Sequence, residues 1–140
     1  MRAGSILRVS VMALAGLAGT AKAQGTMTYQ AENGMIATGT AQGFDVLGRA
    51  GATEMDYFCA AAAFARHRLG APENGRVVVT RGLSDSPVTG RRSVGFVVGT
   101  GAEQTGGSFL RAGGGIGRSM MVRPATVHCY HSRILDARED

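Results

Sequence analysis

Apolar and polar positions alternate in three different rhythms along this chain. Residues 9–17 form a mostly apolar run with no periodicity. Between residues 53 and 70, Met55, Phe58, Cys59, Ala62 and Leu69 recur at the spacing of one helix face. Residues 93–98 alternate instead, with Val94, Phe96 and Val98 on one side and Ser93, Gly95 and Val97 on the other. Residues 75–81 are compact and β-branched, which also favours a strand.

The helix carries its own punctuation. Thr53 is a good N-cap, and Asp56 three residues later imitates the reciprocal capping arrangement. Four consecutive alanines, 60–63, supply high helix propensity. Arg66, His67 and Arg68 suit the negative end of the helix dipole, Gly70 suits the C-cap, and Pro72 forbids continuation. Upstream, residues 26–30 lean towards a strand, Asn33-Gly34 is a two-residue hairpin signal, and 35–40 reads as the returning strand. Residues 44–47 form another short apolar segment before Gly48.

Downstream, Ser84-Asp85-Ser86-Pro87 and Thr89-Gly90 are turn formers, so 76–98 reads as an antiparallel hairpin with a long loop. Glycine dominates residues 99–117, read as turns around a weak strand at 108–111. A strand at 119–122 and a last strand at 126–134 complete the pattern. The fold class expected is α+β, with one main helix packed on an antiparallel sheet of about four to six strands.

The first run is an export signal by pattern. Arg2 and Arg8 precede it, and Ala21-Lys22-Ala23 offers a small-x-small cleavage site. Residues 1–23 are therefore read as a signal peptide and 24–140 as a single small domain, periplasmic or secreted. No later apolar stretch approaches the roughly 20 residues of a transmembrane helix, so no membrane anchor is expected.

Cleavage changes the charge. The whole chain has 15 basic and 10 acidic residues; losing Arg2, Arg8 and Lys22 leaves 12 basic residues, a net of +2, and no lysine. Residues 24–65 are net acidic, whereas 66–92 hold six arginines against Glu73 and Asp85. Codon usage in a GC-rich genome yields the same arginine bias. If Arg66, Arg91 and Arg92 converge, they form an anion contact, because guanidinium forks grip carboxylate and phosphate. Lysine-rich, aromatic-interleaved surfaces of the kind that hold single strands are missing, so nucleic acid is not an expected partner.

Cys59 and Cys129 are the two cysteines. An even number in an exported chain favours a disulfide, here joining the core face of the helix to the last strand. The alternative is chemistry at sulfur. His128, Cys129 and His131 lie close in sequence, and with Cys59 and His67 they contain soft metal ligands or a base-activated thiol. In a strand, however, Cys129 and His131 share one face and His128 points away. No cofactor is implied by this spacing.

Other chemistries lack their motifs. Gly-x-Ser-x-Gly does not occur, and the glycines at 99–101 and 113–117 do not open a helix as a dinucleotide loop must. The stretch Asp56-Tyr57-Phe58-Cys59-Ala60-Ala61-Ala62, followed by Gly90-Arg91-Arg92-Ser93-Val94-Gly95-Phe96, resembles short exported proteins of alphaproteobacteria. That resemblance implies an aromatic-cysteine helix followed by an arginine-led strand, and it carries no activity. The functional expectation is an exported, non-catalytic accessory protein that binds an envelope protein or an anionic ligand. A small metal-binding or thiol-dependent protein built on Cys59, Cys129 and His131 is the alternative.

Overall fold

The computed structural model describes residues 25–99 and 107–136, with side chains placed as far as Tyr130. The export signal read at 1–23 lies outside them. The elements run β1 (Met27–Gln30), β2 (Ile36–Thr40), β3 (Gly43–Leu47), α1 (Glu54–Leu69), β4 (Arg76–Asp85), β5 (Arg92–Gly99), β6 (Ser119–Met121) and α2 (Val122–Asp136).

The six strands form one antiparallel sheet in the order β1-β2-β3-β5-β4-β6. After β3 the chain crosses through α1 and returns as β4 one place further out. That leaves the position beside β3 for β5. The β1–β2 hairpin turns where Asn33-Gly34 predicts, with Gly34 at φ +79°. Asn33 also ties this turn to the helix, donating from Nδ2 to the Asp56 carbonyl at 3.0 Å.

Both ends of α1 form as their residues dictate. The Thr53 hydroxyl accepts from the Asp56 N–H at 3.3 Å, and the Asp56 carboxylate accepts from the Thr53 N–H at 2.8 Å. Gly70, at φ +67°, closes the other end. The single core face read from periodicity is too narrow, because every residue from Tyr57 to Ala65 is buried. On one side Phe64 meets Phe44 with ring centroids 4.5 Å apart, and Phe58 meets Phe96 at 5.9 Å. On another side lies α2. Alanines dominate α1 because small side chains let two layers approach one helix.

The predicted last strand at 126–134 is instead helix α2. Val122, Ala125, Thr126 and Cys129 are buried, while Arg123, Pro124, Val127 and Tyr130 are exposed. That is helical spacing, hidden in the sequence because Ala125 and Thr126 are weakly apolar and Val122, Thr126 and Val127 are β-branched. Pro124 sits in the first turn, where its missing N–H costs no intrahelical bond. The Cys59–Cys129 disulfide, with Cα atoms 5.3 Å apart, therefore joins helix to helix rather than helix to strand.

The weak strand expected at 108–111 is also absent. Residues 108–118 are a chain of turns, closed by Arg111 N–H to the Ser108 carbonyl at 3.3 Å and Gly114 N–H to the Arg111 carbonyl at 3.1 Å. They insert the fully buried Phe109 edge-on between Tyr57 and Phe58. Gly115 is required here: at φ +70°, a Cβ would lie 2.5 Å from that of Phe109. The hairpin of β4 and β5 forms as expected, but β4 runs on to Asp85 with register shifts after Val79 and Arg81.

Candidate functional site

At its end β3 delivers the chain to a short bend over the start of α1. The Gly48 N–H donates to the Arg92 carbonyl at 2.8 Å, which binds this bend to the beginning of β5. The chain then turns on itself, Ala52 N–H to the Arg49 carbonyl at 3.1 Å, with Gly51 at φ +77°. Beneath it lies a hollow of about 400 Å³. Leu83, Leu110, Ala52 and Tyr57 supply its apolar lining, and the exposed Arg49 and Arg92 its charge.

Tyr57 is the polar group at the base of this hollow and is only 2% exposed. Burial raises its pKa above the ordinary tyrosine value; the Arg49 backbone hydrogen bond and the charges of Arg92 and Arg49 oppose that shift, while Asp56 adds to it. The phenol thus keeps its proton through the neutral range. A protonated phenol can donate one hydrogen bond. Nearby acids are already engaged: Glu54 holds Arg118 and Ser108, and Asp56 serves the helix cap. Arg49 also donates from Nη1 to the Asn33 carbonyl.

Of the three arginines read as an anion contact, the hollow takes one. Arg92 lines it. Arg91 is exposed in the preceding turn, its N–H bonded to the Thr89 hydroxyl at 3.3 Å. Arg66 is exposed in the last turn of α1, and the helix rises roughly 13 Å between Tyr57 and Arg66. Arg66 and Arg91 are not among the residues that line the hollow. Arg92 is joined instead by Arg49, which charge counting passed over because its segment is net acidic. A Gly48…Gly51 frame around a lone arginine was the available signal.

A second hollow, about 330 Å³, lies on the sheet face away from α1. Its centre is an ion pair, Arg81 Nη2 to Asp45 Oδ1 at 3.1 Å. The Ser86 hydroxyl donates to Asp45 Oδ2 at 2.6 Å, while Arg81 donates to Ser84 at 3.0 Å and Ser93 at 2.5 Å. Ser86 in turn accepts from the N–H groups of Val88 and Thr89. These groups answer one another, so the cluster pins the β4–β5 loop to the sheet.

The sulfur-based alternative loses its thiols. Cys59 and Cys129 are bonded to each other and buried. Among the described residues no three His, Cys, Asp or Glu side chains come close enough to hold a metal ion. The His131 side chain lies outside the described residues. His67 stacks on Tyr29 at 5.1 Å, and Arg68 lies 5.6 Å from the same ring, at the far end of α1. Among the described residues no helix is long and apolar enough to cross a membrane. No family model, no curated protein and no solved structure matches this chain significantly.

Proposed function

We propose that this chain is an exported, non-catalytic accessory domain that binds an anionic ligand at Arg49, Arg92 and Tyr57. One observation carries the reading: two arginines and a buried, protonated tyrosine line a single hollow at the positive end of α1. The partial positive charge of a helix N-terminus adds to theirs. Periplasmic or secreted residence is supported by the signal pattern at 1–23 and by the disulfide, since such bonds persist in oxidising compartments. N-terminal sequencing of the exported protein should begin at Gln24.

Binding is tested by comparing two charge-matched double variants on a phosphate-bearing matrix at low salt. Arg49→Gln with Arg92→Gln should lose retention, and Arg66→Gln with Arg68→Gln should keep most of it. Retention of the parent should fall as salt shortens the screening length to about 8 Å at physiological strength. Equal losses in the two variants mean a diffuse surface charge and overturn the reading.

A further inference from the structure

The hollow is amphipathic, and that narrows its ligand. Two arginines suffice to attract an anion at a flat surface. Here they line one hollow with Tyr57 and with Ala52, Leu83 and Leu110, three partly buried side chains packed on the core. Their placement is built in from three directions. The Gly48–Arg92 hydrogen bond brings the arginine side of the hollow to the helix start. Leu83 N–H donates to the Phe109 carbonyl at 2.7 Å, which sets Leu110 beside Leu83. Phe109 itself is locked edge-on against Tyr57, with centroids 6.0 Å apart. A fully hydrated inorganic anion leaves this apolar lining unused.

We infer that the ligand is an oxyanion head on a short apolar body, such as a medium-chain carboxylate or an alkyl phosphate. This rests on the anion reading above. The head takes the guanidinium fork of Arg92, the Arg49 N–H groups not given to the Asn33 carbonyl, and a hydrogen bond from the Tyr57 hydroxyl. The body covers Leu83, Leu110 and Ala52. At about 400 Å³ the hollow is within the size range of small-molecule sites. Two buried methylenes already supply about a tenfold gain in affinity.

The test is a calorimetric titration of the disulfide-bonded exported protein with acetate, octanoate and octanol. Octanoate should bind at least about tenfold tighter than acetate, and octanol should bind far more weakly than octanoate. Arg92→Gln should abolish the octanoate advantage over octanol, while Leu110→Gln should abolish its advantage over acetate. The unaltered protein decides the matter even if the leucine variant fails to fold. Equal binding of acetate and octanoate overturns the amphipathic ligand and leaves the anion reading standing. Equal binding of octanol and octanoate, or no binding of any anion, overturns the anion reading as well. Sedimentation with phosphatidylglycerol vesicles distinguishes the source. Sedimentation competed away by octanoate means the head belongs to a lipid, whereas octanoate binding with no sedimentation, or with sedimentation that octanoate leaves intact, means a free anion.

Discussion

On the side of the sheet under α1, Tyr29, Ala37, Val46 and Val94 lie opposite one another across β1, β2, β3 and β5. One residue along each strand, the row on the other side is Thr28, Thr38, Asp45 and Gly95, continued on β4 by Arg81. The first row meets a helix and, with Phe44, Phe96 and Val79, gains stability from apolar surface removed from water. The second row is held by geometry. Gly95 has no side chain, so Arg81 lies across it and reaches Asp45; a Cβ there would sit 3.2 Å from that of Arg81 and 3.0 Å from the Thr80 hydroxyl. One face is sensitive to lost volume, the other to gained volume.

The sharpest break of that contrast is Phe96→Ala. Phe96 is fully buried against Phe44, Phe58 and Phe109, and such truncations cost about 3–5 kcal/mol. Urea unfolding should show it, and a loss below about 1 kcal/mol would mean that the covered face is not the main core.

Next comes the staple behind that face. Cys129→Ser should destabilise by about 2–5 kcal/mol, because the bond closes a separation of 70 residues. The parent should weigh two hydrogens less than its dithiol and yield thiol only after reduction. Free thiol in the exported protein contradicts the bond between α1 and α2.

Gly95→Val sharpens the comparison from the polar side. Overfilling should cost about 1–3 kcal/mol, and it should act by parting Arg81 from Asp45. A double-mutant cycle with Asp45→Asn checks the route: the two losses should be strongly non-additive, and simple additivity would mean the glycine matters for another reason.

The smallest effect is on pH. Burial, the same force that empties the covered face of water, raises the Tyr57 pKa. Below about pH 10 both folded and unfolded chains hold the proton. Above it the unfolded chain releases its proton first, so stability falls as pH climbs towards the folded value. Tyr57→Phe should flatten this alkaline decline in urea midpoints taken between neutral and strongly alkaline pH; an unchanged slope would assign the decline to other groups.

Local chemistry was enough for several elements. Thr53, Asp56 and Gly70 mark the ends of α1, Asn33-Gly34 marks the first turn, and the alternation at 93–98 marks β5, because each signal acts within a few residues of backbone. An even pair of cysteines pointed to the bond between Cys59 and Cys129. The candidate site was only half legible: Arg92 was singled out, while Arg66 and Arg91 drew attention by their place in a basic segment rather than by any shared surface.

Tertiary structure decided the rest. Residues 122–136 carry β-branched positions that favour a strand, yet docking of Val122, Ala125 and Cys129 against α1 makes them a helix. Propensity differences of less than about 1 kcal/mol per residue give way to such packing. Phe109 appears in sequence as one aromatic residue in a glycine-rich loop, and only its insertion between Tyr57 and Phe58 brings Leu110 to Leu83. The crossover from β3 through α1 to β4 sets β5 beside β3, and with it Arg92 beside Gly48 and Arg49. Charge and spacing along the chain report what lies within a few residues. Which arginines meet depends on strand order, which sets β5 rather than β4 beside β3, and that order arises from contacts far apart in the chain.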